Sequence, residues 1–502
     1  MEDSLQLLKD RLAEITDLTY VGAILEWDQQ TYMPAGGAAG RAEQFGTVSK
    51  LIHEKMTSDE MGKLLAQAGQ QVKGFEPYSD DARLVSVSLR EYTRRRQIPT
   101  LLMTELARTT AAAHTVWAKA RAEKDFKAFQ PSLQKIFDLK RQVADCFPDK
   151  ESIYDPLLDE FEPDLKASQV REVFAGLKHD LVPLVKAIAA RPEIDDAVLH
   201  LNYDEQKQWD FGLDVIRRFG YDFDRGRQDK AAHPFTTSFS LGDVRITTRV
   251  HPSLLSSALM STMHECGHAL YDQGLGPSLA RSPLAYGASL GIHESQSRLW
   301  ENLVGRSRGF WRFFYPRLQA TFPAQLQLVD PNTFYHAINR VKPSFIRVEA
   351  DEVTYNLHTM LRFELEVDVL EGRLAVKDLP AAWNAKIKDY LGLDVPDDSL
   401  GVLQDVHWSS GYIGYFPTYT LGNIASVQFF QKACQDMPMI PSDIERGEFQ
   451  TLLTWLRDNI HRHGRKYTPT ELIQRVTGSP LNAEPYVNYL KRKYTEIYGL
   501  QD

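Results

Sequence analysis

The sequence predicts a mainly α-helical fold carrying one small β-sheet, and three observations support it. Apolar residues recur at helical spacing through most of the chain, one short stretch alternates with the period of a strand, and Gly- and Pro-containing clusters punctuate the helical runs. At 502 residues, 43% hydrophobic and 25% charged, the chain has a globular composition and enough length for a large core. Length alone would allow several domains. No internal repeat, low-complexity segment or linker-like stretch divides it, so residues 1–502 read as one helical domain split by a cleft.

The elements follow in order. Leu5, Leu8, Leu12 and Ile15 lie at helical spacing behind Asp3 and Gln6, which have the arrangement of a capping box. Met33-Pro34-Ala35-Gly36-Gly37 is one of the clusters that punctuate the helical runs. Similar patterns predict helix within 98–145, 165–190, 205–219, 350–370 and 450–463. The exception is 236–250, where Leu241-Gly242-Asp243 interrupts a run in which Val244, Ile246, Thr248 and Val250 alternate with Asp243, Arg245, Thr247 and Arg249. A hairpin or small sheet is expected there, with Asp243, Arg245 and Thr247 on one side and the apolar residues on the other.

Charge and cysteine content exclude several function classes. The 67 acidic and 58 basic residues are interspersed, and a net charge of -9 leaves no basic tract for nucleic acid or an acidic membrane surface. No stretch approaches a membrane-spanning length, and Met1 to Leu5 lack the basic and apolar regions of a signal peptide. Cys146, Cys266 and Cys434 are far apart, forming neither a disulfide framework nor a metal knuckle, which favours a reducing cytoplasm.

The strongest chemical signal is His264-Glu265-Cys266-Gly267-His268, an H-E-x-x-H motif in a helical stretch that starts near Ser253. Leu254, Leu255, Ala258, Leu259 and Met263 support the helix, although Gly267 weakens it. Residues i and i+4 share a face, so both imidazoles can reach one ion at about 2.0–2.1 Å. Glu265 then lies beside the ion, where a general base for an attacking water belongs. With only 14 histidines and a glutamate required at one position, a chance match is rare.

A catalytic zinc takes three protein ligands and keeps one position open. The best candidate for the third lies in Gly291-Ile292-His293-Glu294-Ser295-Gln296-Ser297-Arg298, where Glu294 is favoured by residue type and His293 is the rival. Glu294 also fits a helix cap, and His293 a hydrogen-bonded position behind a ligand. Asp272, four residues after His268, suits an orienting carboxylate as well as it suits a solvated one.

These residues resemble the carboxypeptidase Taq-type metallocarboxypeptidases. Beyond the zinc motif, the resemblance rests on His233-Pro234-Phe235, Asp243-Val244-Arg245-Ile246-Thr247, His293-Glu294-Ser295-Gln296, Ile346-Arg347-Val348-Glu349-Ala350-Asp351 and Gly401-Val402-Leu403-Gln404-Asp405-Val406-His407-Trp408, in that order over almost the whole chain. It implies two helical halves flanking a long groove, an outline shared with neurolysin-like and angiotensin-converting-enzyme-like peptidases. It implies a cytoplasmic homodimer that removes single residues from peptide C-termini with broad specificity, disfavouring C-terminal proline. It also places the third metal ligand on Glu294.

Further roles follow from the chemistry and the resemblance together. His407, Tyr415 and Tyr419 are the candidate donors to the oxyanion, with core packing as the alternative for each tyrosine. Arg347 is the candidate anchor for a terminal carboxylate and Arg245 a supporting one. The plainer alternatives are an intrahelical Arg347–Asp351 pair and an Arg245–Asp243 pair. Zinc is the default metal, with cobalt or manganese able to occupy such ligands. An oligoendopeptidase using the same zinc site and a non-catalytic peptide-binding scaffold are the competing functions, the second disfavoured by the presence of Glu265, His264, His268 and Glu294 together.

Overall fold

A computed structural model describes residues 3–501; Met1, Glu2 and Asp502, included in the 1–502 reading and in the N-terminal and charge readings, lie outside the described residues. The chain is 68% helical, and its sheet, as described, has only three strands, so the mainly α expectation holds. Two compact units emerge. The first comprises 1–96, 195–338 and 429–480, the second 97–194, 339–428 and 481–502. No helix among the described residues is long and apolar enough to cross a membrane.

The first helix, Ser4–Thr31, is capped by Asp3, whose carboxylate accepts from the backbone N–H of Leu5 and Gln6. Gln6 does not complete a capping box: its amide donates to Asp10 instead. Leu8, Leu12 and Ile15 point into an apolar core with Met56, Met61, Leu65, Leu84, Leu279 and Leu284. The predicted 205–219 helix is Glu205–Phe219, capped by Asp204 and closed by Gly220 at φ 100°, a conformation a side chain would strain. The 98–145 run divides into Thr100–Glu123 and Phe126–Asp145, because Lys124 turns left-handed and Asp125 caps the second helix. The 165–190 run forms Ala167–Ala189, while the 350–370 run becomes helical only from Tyr355 and ends at Leu370.

The sheet has the order β1-β3-β2, with β1 at Gln228–Lys230, β2 at Thr236–Ser240 and β3 at Asp243–Thr248. β2 and β3 form the expected hairpin, antiparallel with Thr236 opposite Ile246 and Ser238 opposite Val244. β1, parallel to β3, was not foreseen. The strand stops at Thr248 rather than Val250, and its alternation fails only at Thr247: Val244, Ile246 and Thr248 are buried as the pattern requires, but so is Thr247. Thr247 exchanges hydrogen bonds with the Phe235 backbone, and Thr248 donates to the Ala258 carbonyl on the adjoining helix, which is why polar side chains are tolerated there.

Candidate metal centre

The H-E-x-x-H residues lie on the helix Leu255–Gln273, in the first unit. His264 and His268 project one turn apart with ring centroids 5.0 Å from each other. Glu294 Oε2 lies 3.6 Å from His264 Nε2 and 3.4 Å from His268 Nε2. A tetrahedral ion at about 2.0–2.1 Å separates its ligands by roughly 3.3–3.4 Å, so these donors have the spacing one ion requires. Two imidazoles and a carboxylate also suit a divalent transition metal by ligand type.

Glu294 belongs to the helix Leu290–Arg298, whose cap is Ser289, so it is not the capping group. Its Oε1 accepts from Arg298 Nε at 2.7 Å and its Oε2 from the Ser297 hydroxyl at 3.0 Å. Burial opposes its charge, but Arg298 and the two histidines outweigh it and hold the carboxyl well below its ordinary range. The helix can approach because residue 267 is glycine. A Cβ there would sit 2.6 Å from both the Gln296 carbonyl oxygen and Ser297 Cα.

Sequence reasoning missed Glu301. It sits in a π-helical turn, Leu299–Val304, that continues the Glu294 helix. Its Oε2 lies 2.9 Å from His264 Nδ1, so that nitrogen carries the proton and leaves Nε2 facing the centre. Burial raises Glu301, yet Arg298 and His264 win and bring its pKa to about 2. The only available signal was a carboxylate inside the apolar run Leu299-Trp300-Glu301-Asn302-Leu303.

Glu265 is buried, and Thr236 Oγ1 on β2 lies 2.7 Å from its Oε2. Burial raises its pKa, with the Thr236 hydrogen bond and His264 opposing. His293, the rival ligand, faces away from the three-donor group: its Nδ1 lies 2.5 Å from His268 Nδ1 and its Nε2 3.0 Å from Asp272 Oδ1. Burial opposes a charge on His293, and Asp272 overcomes it; burial and the His293 neighbour lower His268 to about 4. Arg245 pairs in bidentate fashion with Asp243, both contacts 2.8 Å, and its guanidinium lies 4.5 Å from the Trp27 ring centroid.

The second unit gathers the remaining predicted residues. Arg347 is buried and lies outside any α-helix; it bonds Asp405 Oδ1 through Nη2 at 2.9 Å and the Tyr355 hydroxyl through Nη1 at 2.7 Å. The intrahelical pair with Asp351 therefore does not form. Asp351 instead accepts from the Val353 and Thr354 amides. Arg362 shares Asp405, with Nε 2.6 Å from Oδ2, so two buried guanidiniums meet one carboxylate. His407 Nε2 lies 3.1 Å from the Tyr419 hydroxyl, and the Tyr415 ring packs 5.4 Å from His407 and 5.3 Å from Tyr419. Burial presses His407 down to about 3, so it is neutral at physiological pH.

A helical chain with two histidines one turn apart, a glutamate between them and a second carboxylate at ligand distance has the constitution of a metallopeptidase. Residues 7–494 match the Carboxypeptidase Taq (M32) metallopeptidase family, and the chain belongs to it. It is 42% identical to thermostable carboxypeptidase 1 of Thermus thermophilus over 99% of each chain, and 38% identical to carboxypeptidase 1 of Bacillus subtilis over 98% of each. The crystal structure of an M32 carboxypeptidase from Deinococcus radiodurans superposes with a TM-score of 0.97 at 44% identity, covering 99% of this chain and 100% of the other. The protein is a metallocarboxypeptidase.

Proposed function

We propose that this enzyme removes single amino acids from peptide C-termini, with broad specificity and poor use of C-terminal proline, and that the whole chain acts as one catalytic domain of two helical subdomains. The observation that carries the reading is the triangle of His264 Nε2, His268 Nε2 and Glu294 Oε2, with Glu265 beside it, in a chain of this family. These three residues would hold the metal, zinc by default and cobalt or manganese as alternatives. A divalent ion bound there supplies Lewis-acid polarisation of the scissile carbonyl.

The chain's own groups do the rest. Glu265, whose pKa burial raises, takes the proton of the attacking water and delivers it to the leaving amine; Thr236 holds it in place. Tyr419, oriented by His407, and Tyr415 beside them share the oxyanion charge. Arg347 binds the terminal carboxylate. Asp405 and Tyr355 fix its fork, and Arg362 supplies a second positive charge against the same aspartate, so the cluster favours an incoming anion. Arg245 supports substrate on the β2–β3 hairpin, where β2 is an edge strand able to pair with extended peptide. Unpaired Cys146, Cys266 and Cys434 support a cytoplasmic setting. The homodimer is part of the same proposal and is read by light scattering.

The test is mass spectrometry of a peptide blocked at its N-terminus, offered with a free or an amidated C-terminus to metal-loaded and chelator-treated protein. Metal-dependent shortening by one residue, of the free form alone, is expected. Internal fragments from both forms would replace this reading with an oligoendopeptidase, and no product would return the scaffold.

A further inference from the structure

We infer that Asp272 and His293 form a hydrogen-bond relay that fixes the tautomer of His268, making them positioning residues for the metal. The inference rests on the metal-centre reading proposed above. The direction of each bond follows from what each group can do. The Asp272 carboxylate only accepts. Its Oδ2 takes the Ser238 hydroxyl and its Oδ1 lies 3.0 Å from His293 Nε2, so His293 holds its proton on Nε2. Asp272 raises the proton affinity of His293, but an imidazolium would donate from Nδ1 to His268 and push the His268 proton onto Nε2, so the ion-binding arrangement has a neutral His293, protonated on Nε2 and bare at Nδ1. That nitrogen lies 2.5 Å from His268 Nδ1, which must then be the donor. His268 Nε2, 3.4 Å from Glu294 Oε2, is left with its lone pair towards the three-donor group. No other arrangement with neutral rings satisfies all three contacts and keeps Nε2 free to bind an ion.

The surroundings hold the relay in place. The His268 and His293 rings stack at 30° with centroids 4.6 Å apart, and the Tyr271 ring lies 5.3 Å from His293 on the same centroid measure. Residue 287 is glycine, and a Cβ there would approach His293 Cδ2 to 2.9 Å, so the ring's place depends on that missing side chain. Ser238 comes from β2, the strand whose Thr236 also holds Glu265. The two ligand histidines are thus oriented differently: His264 donates directly to the carboxylate of Glu301, whereas His268 donates to a neutral ring backed by Asp272.

The test is zinc affinity, measured by competition with a chromophoric chelator, for wild type, His293→Leu and His293→Gln. Glutamine can accept from His268 through Oε1 and donate to Asp272 through Nε2; leucine can do neither. Leucine should weaken zinc binding about 10- to 100-fold and glutamine should restore it to within about threefold of wild type. Unchanged affinity in the leucine variant, or equal losses in both, overturns the relay. A second measurement needs no variant: proton NMR of the cobalt-loaded wild type should show an exchangeable ring N–H resonance for each of the two ligand histidines. Loss of the His268 resonance would overturn the assigned tautomer. Failure of the wild type to bind one zinc would instead overturn the metal-centre reading, and this inference with it.

Discussion

Replacing Gly267 by alanine tests whether the spacing of the metal donors depends on contact between two helix backbones. The new Cβ would lie 2.6 Å from the Gln296 carbonyl oxygen and 2.6 Å from Ser297 Cα, against an ordinary contact distance starting at 3.4 Å. Both obstacles are backbone atoms, so no rotamer change relieves them; the helices must separate, by about 0.8 Å if one moves directly away. Ser297 follows Glu294 by less than one helical turn, so Glu294 moves with it, while His264 and His268 flank the substitution. Metal–ligand distances tolerate only about ±0.2 Å, which such a shift exceeds severalfold. Alanine regains up to about 1 kcal/mol of helix propensity, and overpacking costs about 1–3 kcal/mol, so global stability should fall only modestly. Zinc affinity should fall much more, by about tenfold or more, as when the supports of a metal site are disturbed. Chelator competition reads the affinity, and thermal unfolding of the metal-free protein reads the stability. An alanine variant that binds zinc within twofold of wild type would refute the argument.

Three other outcomes are expected. Glu265→Gln should retain zinc by chelator competition while peptide turnover drops by about 10²–10⁴-fold, because the base is lost and the ligands remain; near-normal kcat would remove Glu265 from that role. Arg347→Ala should lower kcat/KM on peptides with a free C-terminus by roughly 10- to 150-fold, equivalent to one charge-assisted hydrogen bond of about 1.5–3 kcal/mol, and equal losses on amidated peptides would contradict the anchor. His358 is fully buried, and burial with the Arg362 and Arg347 charges lowers its pKa to about 3. Its folded pKa is below its unfolded value of 6.5, so its contribution is complete above pH 6.5 and drains away as pH falls towards about 3. In urea unfolding with chelator present, wild type should therefore lose ground to His358→Gln across that window, by at most about 1.4 kcal/mol per pH unit; parallel curves would exclude the linkage.

Local spacing made part of the site legible. His264 and His268 are one helical turn apart, so their shared face follows from helix geometry alone, and Glu265 follows from them. The helix Glu205–Phe219 and the β2–β3 hairpin were readable for the same reason, since their periods are written into neighbouring residues. β1 was not, because three residues carry no measurable period. Glu294 stood out by type and by the family resemblance, but the physical reason it differs from His293 needed the fold, which turns one towards the two ligand imidazoles and the other towards Asp272.

By itself the sequence determined the helical class, the metal motif and the set of residue types that a metallocarboxypeptidase needs. Only the tertiary structure decided their partnerships: Glu301 behind His264, Asp272 and His293 behind His268, and Asp405 against Arg347 across 58 residues. Periodicity reports which face of an element a side chain occupies, whereas a hydrogen bond or ion pair depends on where another element's face arrives, and that is set by packing contacts such as the bare backbone of Gly267 against Ser297.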